Sequence, residues 1–194
     1  MKVITVLNSD FDNLCFQLAD KINSGYSPDL IVGVATGGEF VAKKIAERLN
    51  VPTLIIKRQR GATKYKTKFK ISKLLPLLPE FINNKLRVFE VKYNEWVFNK
   101  KGRVVNSGKV IFKEGDAEQL KKSKNIILVD DSVDSGGTFV DCINFLNNHC
   151  KQETVIKTAA LNVTFSDPVV KPDFCMYEEI LLRCPWANDV AVKK

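Results

Sequence analysis

Four consecutive apolar residues, Ile126-Ile127-Leu128-Val129, run directly into the acids Asp130 and Asp131, and Ser132-Val133-Asp134-Ser135-Gly136-Gly137-Thr138 follows. An apolar run of this length, bounded by turn residues, reads as a strand covered on both faces. The glycine pair then opens a helix over Thr138–Asn147, with Phe139, Cys142, Ile143 and Leu146 on one side. A helix start presents free N–H groups and the positive end of its dipole, which suits a phosphate. Glycines let the backbone approach an anion closely, and Ser135 and Thr138 add hydroxyl donors. Adjacent carboxylates at a strand end suit the vicinal hydroxyls of a ribose, which donate to them. The segment is therefore shaped for a ribose 5-phosphate. An ordinary capped helix behind a strand needs no such combination, and special turn chemistry at a strand end usually marks function.

The rest of the chain keeps the same strand–helix rhythm. Val3–Leu7 reads as a strand, and Phe11, Leu14, Cys15, Leu18 and Ile22 recur at helical spacing behind a Ser9/Asp12 pair resembling a capping box. Gly25 and Pro28 close that helix. Leu30–Ala35 is a second buried strand, bounded by Gly37-Gly38; a helix from Phe40 to Leu49 ends before Pro52, and Thr53–Ile56 is the next strand. Then the rhythm pauses. Lysines alternate with less polar residues from Lys64 to Ile71, which predicts an extended ribbon with one cationic face, the habit of a soluble edge strand. Leu74–Ile82 is expected as a short helix, Arg87–Val91 as a strand, and Tyr93–Gly108 as a mobile loop able to close over a site. The rhythm resumes with Asn125–Val129, Val155–Val163 and Phe174–Leu182. The expected fold is α/β: an open, mainly parallel twisted sheet with helices on both faces, binding ligands at the carboxyl ends of its strands. Residues 1–194 read as a single domain, long enough to bury a core of its own.

Thirty Lys and Arg against 22 Asp and Glu give a net charge of +8. Eight of the cations, and no acid, lie between Lys57 and Lys73, a field that favours anionic partners. A hydrophobic fraction of 45% excludes a disordered or fibrous chain, and no stretch approaches the ~18 apolar residues of a membrane span. The first residues lack the apolar run of a secretion signal. The five cysteines follow neither a metal-binding nor a disulfide spacing, so reduced thiols in a cytoplasmic protein are expected. His149, near a helix C-terminus, reads as structural.

Ile127–Thr138 resembles the phosphoribosyl-pyrophosphate (PRPP) binding motif of the type I phosphoribosyltransferases. Asp29-Leu30-Ile31-Val32-Gly33-Val34-Ala35-Thr36-Gly37-Gly38 resembles the strand and loop by which that family grips pyrophosphate. A weaker likeness runs from Asp29 to Trp186. Ser107-Gly108-Lys109-Val110 resembles the return of the family's catalytic loop, and Val155–Leu161 with Lys171-Pro172-Asp173-Phe174 looks like the purine salvage branch. Cys184-Pro185-Trp186 is similar to the Pro-Trp ending of bacterial xanthine and guanine enzymes.

The resemblance implies a Rossmann-like core with a small C-terminal or inserted hood. It implies an Mg²⁺-dependent enzyme that moves the 5-phosphoribosyl group from PRPP to a nitrogen of a nucleobase, a purine above all. Asp130 and Asp131 would hold the ribose hydroxyls, with Asp131 the metal contact. Asp134, Ser135, Gly136, Gly137 and Thr138 would cradle the 5′-phosphate, Asp134 also serving as the catalytic proton acceptor. Thr36, Gly37, Gly38 and Arg58 would meet pyrophosphate, the first three in a loop that often holds a strained or cis peptide. Trp186 would border the base. Two positions depart from the branch: Thr36 stands where Lys or Arg is frequent, and Thr164 where a lysine usually meets a purine 6-oxo group. The expected partners are PRPP, a nucleobase and a second copy in a homodimer, without membrane or nucleic acid. The alternative is a PRPP-binding regulatory or nucleic-acid-binding module with little or no turnover.

Overall fold

In the computed structural model, which describes residues 1–59 and 79–187, the apolar runs line up as one sheet with helices on both faces. In chain order the elements are β1 (Lys2–Thr5), α1 (Ser9–Asn23), β2 (Leu30–Ala35), α2 (Gly37–Leu49), β3 (Thr53–Gln59) and α3 (Glu80–Lys100). They continue with β4 (Lys109–Glu114), α4 (Ala117–Lys122), β5 (Asn125–Val133), α5 (Gly137–Asn147), β6 (Val155–Val163), β7 (Phe174–Glu178) and β8 (Ile180–Arg183). The six-stranded sheet runs β4-β3-β2-β5-β6-β7. Its strands are parallel except β4, which pairs antiparallel with β3. β1 and β8 form a separate parallel pair, so the small extra layer joins the two ends of the described chain.

Alternation along the strands divides the core in two, because successive side chains point to opposite faces. Ile31, Ile127, Val129, Ala159 and Leu161 pack under α1 and α2, against Leu18, Ile22, Val41 and Ile45. Leu30, Val32, Val34, Ile126 and Leu128 pack on the other face, against Leu120 of α4 and Phe139, Cys142 and Leu146 of α5. β2 and the Ile126–Val129 stretch of β5 are buried on both faces, which is why both are purely apolar. All five cysteines are free thiols; burial, the main cause, pushes those of Cys142 and Cys184 up to about 12. No helix among the described residues is long and apolar enough to cross a membrane.

Several elements differ from expectation. Arg87–Val91 is not a strand, and Tyr93–Lys100 is not loop; both lie in the 21-residue helix α3. Pro79 precedes that helix and no proline or glycine interrupts it, so the Val88 and Val91 β-branches do not prevail over the helical spacing of Ile82, Leu86, Phe89, Tyr93 and Trp96. Only residues 101–108 remain as connection. Ser9 and Asp12 form no capping box: Asn8 is the N-cap without a side-chain bond, and Asp12 instead accepts from Lys44 Nζ at 2.8 Å. Such a box stands on α4, between Asp116 and Gln119. β1 ends at Thr5 and pairs outside the main sheet, β4 and α4 were not anticipated, and the last apolar segment breaks at Glu179, with φ 54°. The lysine ribbon from Lys64 to Ile71, and residues 74–78 of the expected short helix, lie outside the described residues.

Candidate active site

β5 outruns its neighbour. It pairs with β2 only as far as Val129, opposite Gly33, but stays paired with β6 to Val133. The carboxyl end of the sheet therefore opens above β2, and the two acids stand within the extended strand rather than after it, at the edge of that gap. A cavity of about 670 Å³ fills it, within the ~300–1,000 Å³ usual for small-molecule sites.

The turn and helix after β5 form one wall. Gly136 caps α5 with φ 82°, a backbone state that side chains rarely adopt, and no side chain caps the helix. No acid occupies the first turn of α5 either, so the N–H groups there face the cavity with their dipole uncompensated by a carboxylate. Ser135, Gly136, Gly137 and Thr138 all line the cavity. The Ser135 carbonyl accepts from Val169 N at 2.9 Å, and Ser135 Oγ lies 3.4 Å from Gly137 N.

β2 and α2 supply the opposite wall. The Ala35–Thr36 peptide is cis, and Thr36 and Gly37 line the cavity. A side chain at Gly37 would collide with the Asp131 carboxylate, so only glycine lets that acid pack here. Gly38 stands one step behind the wall, against Val129 O and Asp130 Cα, and serves the close packing of α2 on β5. Asp130 Oδ1 accepts from Asp131 N at 2.9 Å, and Asp131 Oδ2 accepts from Trp186 Nε1 at 3.0 Å. The Trp186 ring stacks on Phe40 at 5.1 Å and meets Phe11 edge-on at 5.3 Å.

Arg58 also reaches the cavity, from within β3 rather than beyond it, because that strand extends to Gln59. Its guanidinium is engaged. Nε donates to Asp141 Oδ2 at 2.6 Å and Nη2 to the Asn106 carbonyl, with both side chains of the ion pair nearly buried. Asp141 also accepts from Gly108 N at 2.8 Å. One acid on α5 thus ties β3 to the 101–108 connection, whose Val105, Asn106 and Ser107 complete the cavity wall. Sequence reading missed Asp141. Its signal was a carboxylate three residues after Thr138, on a helix otherwise chosen for its apolar face.

Asp134 lines the cavity at its exposed rim, and its Oδ1 accepts from the Thr164 hydroxyl. Thr164 is only 1% exposed and its amide donates to Val133 O, which ties the end of β6 to the end of β5. His149 lies far from this chemistry, its Nδ1 2.7 Å from Phe145 O.

A cavity at the carboxyl ends of the strands lies where doubly wound sheets bind their ligands, and comparison with known proteins makes the class specific. The phosphoribosyl transferase domain matches residues 9–177, so the chain belongs to that family and is a phosphoribosyltransferase. No curated protein matches it by sequence. Among solved structures it resembles a purine phosphoribosyltransferase from Pyrococcus horikoshii Ot3, at 23% identity and TM-score 0.60, over 96% of this chain and 95% of that one. It also resembles a hypothetical protein from Neisseria gonorrhoeae with bound ppGpp, at 18% identity and TM-score 0.58 over 98% and 92% of the chains. A Helicobacter pylori xanthine-guanine-hypoxanthine phosphoribosyltransferase shares 13% identity at TM-score 0.57, over 95% and 91%. At these identities the likeness is one of fold.

Proposed function

We propose that this phosphoribosyltransferase transfers the 5-phosphoribosyl group of PRPP to a ring nitrogen of a purine-like base and releases pyrophosphate. One observation carries the reading: the Asp130–Thr138 segment and the Thr36-Gly37 loop open onto the same cavity. PRPP has a phosphate, a diol and a pyrophosphate, and each meets a matching group there. The N–H groups and hydroxyls of Ser135–Thr138 take the 5′-phosphate, with Asp134 at their edge. Asp130 and Asp131 take the ribose hydroxyls. Thr36, Gly37 and Arg58 take the pyrophosphate, while Gly38 keeps the loop against the sheet. The base nitrogen forms its bond to C1 as the bond from C1 to the pyrophosphate oxygen breaks, and the proton on that nitrogen passes to Asp134. Trp186 borders the base side and holds Asp131.

The donor set fits Mg²⁺. No group of three or more His, Cys, Asp or Glu gathers to cage an ion among the described residues, and Mg²⁺ bound with polyphosphates needs only one or two carboxylates. Asp131, with Asp130 beside it, would hold the ion, which when bound neutralises charge on the departing pyrophosphate. A cytoplasmic homodimer is the expected setting of this activity.

A ligand that binds only the folded state stabilises it by RT ln(1 + [L]/Kd), about 2.7 kcal/mol at a hundredfold excess over Kd. PRPP with Mg²⁺ should therefore raise the melting temperature. Ser135→Asp, which sets a carboxylate where the phosphate belongs, should remove that rise without unfolding the protein. No rise with millimolar PRPP would refute the reading.

A further inference from the structure

Helix α3 presents a strip that the site does not use. Phe89, Tyr93 and Trp96 are 70%, 54% and 54% exposed, although large rings usually seek burial. They stack on one another with centroids 6.4 and 6.0 Å apart and planes within 15° and 29° of parallel. Lys100 Nζ sits 5.1 Å above the Trp96 ring. At 3.6 residues per turn, Lys85, Lys92 and Lys100 fall within about 60° of Phe89 on the helix circumference, and no acid falls in that sector. All three lysines are exposed. The strip thus intersperses three rings with three cations over roughly 22 Å of helix. The opposite side of α3 carries the buried Asn83 and Phe98, so the aromatic strip is the outward face.

Charge decides what can cover such a face. A two-fold pairing of copies sets a patch against itself, so it would place these lysines against the same lysines in a chain already carrying +8. A membrane-surface helix keeps its cations on the polar face and its rings on the other. Here both share one sector. A partner that matches must carry anions and planar apolar faces side by side, as the phosphates and bases of a single strand do. We infer that the outward strip of α3 binds single-stranded nucleic acid, with bases on Phe89, Tyr93 and Trp96 and phosphates on Lys85, Lys92 and Lys100.

The test is fluorescence anisotropy of labelled oligo-dT and oligo-rU, about twelve nucleotides long, with the full chain. Binding is expected, with log K falling against log salt by about 0.7 per contacted phosphate, a slope near −2 for three lysines. Phe89→Ala, Tyr93→Ala or Trp96→Ala should each weaken binding about 5- to 150-fold, the range for loss of a stacked base, whereas Trp96→Phe should retain most of it. Bound oligonucleotide should also quench Trp96 emission. These positions are exposed, so the variants should keep the melting temperature of the parent. Four results would overturn the proposal: no salt-sensitive binding; binding indifferent to the three alanine changes; stronger capture by vesicles containing phosphatidylserine than by either oligonucleotide; or a dimer that the same changes convert to monomer.

Discussion

Thr164 is 1% exposed, and its hydroxyl donates to one oxygen of Asp134, with the Val133 carbonyl 3.4 Å away. Where the resemblance to the purine branch leads to a lysine near the base, this chain has a hydroxyl that would orient Asp134, the proposed proton acceptor. A hydrogen bond to a charged group is worth about 1.5–3 kcal/mol, so Thr164→Val should lower kcat about ten- to a hundredfold. PRPP affinity should stay within about twofold, and Thr164→Ser should restore turnover. Parallel losses in kcat and PRPP affinity would instead make Thr164 a fold residue. The substitution itself was legible in sequence, but the bond was not, because it joins residues 30 apart through the pairing of β5 with β6. The same holds for Trp186. Its place at the site was legible from Pro185-Trp186, but the indole bond to Asp131 depends on how Phe40 and Phe11 seat the ring.

Central strands were readable almost to the residue: Leu30–Ala35, buried as far as Val34, and Val155–Val163, buried from Thr158 onward, emerged as expected, since burial on both faces favours apolar or small residues. Edge elements were not. β4 is half exposed and α3 leaves several of its apolar residues outside, so neither carries a clean period. Charge adds to the ladder and the buried Val110 that hold β4 on β3. Glu39 on α2 is buried and accepts from Lys43 Nζ at 2.9 Å and from Lys113 of β4. The Lys113 bond, then the Lys43 bond, hold its carboxyl below the ordinary glutamate value. A lowered folded-state value means stability present above the unfolded glutamate pKa, ~4.3, and lost as pH falls through the folded value. Glu39→Gln should cost about 1–3 kcal/mol in urea unfolding at pH 7, and the deficit should shrink as the pH is taken below ~4. An equal deficit at both pH values would mean that packing, not charge, accounts for the position.

At the scale of the whole molecule, every expected site residue except Gly38 meets at one cavity, although the residues come from four parts of the chain. That convergence was legible because strand ends of a parallel sheet share one edge, so motifs after β2, β3 and β5 must be neighbours. The closure of the cavity by Val105, Asn106 and Ser107 was legible only as a loop, since the Arg58–Asp141 pair that ties it down spans 83 residues. Phosphoribosyl transfer in this cavity is read most directly as pyrophosphate release on incubation with PRPP, Mg²⁺ and, one at a time, adenine, hypoxanthine, guanine and xanthine, with the nucleotide product resolved. Base-dependent release matched by nucleotide is predicted, with Asp134→Asn retaining the PRPP-induced rise in melting temperature but losing most turnover. Wild-type protein that binds PRPP yet releases no pyrophosphate with any of these bases would contradict it.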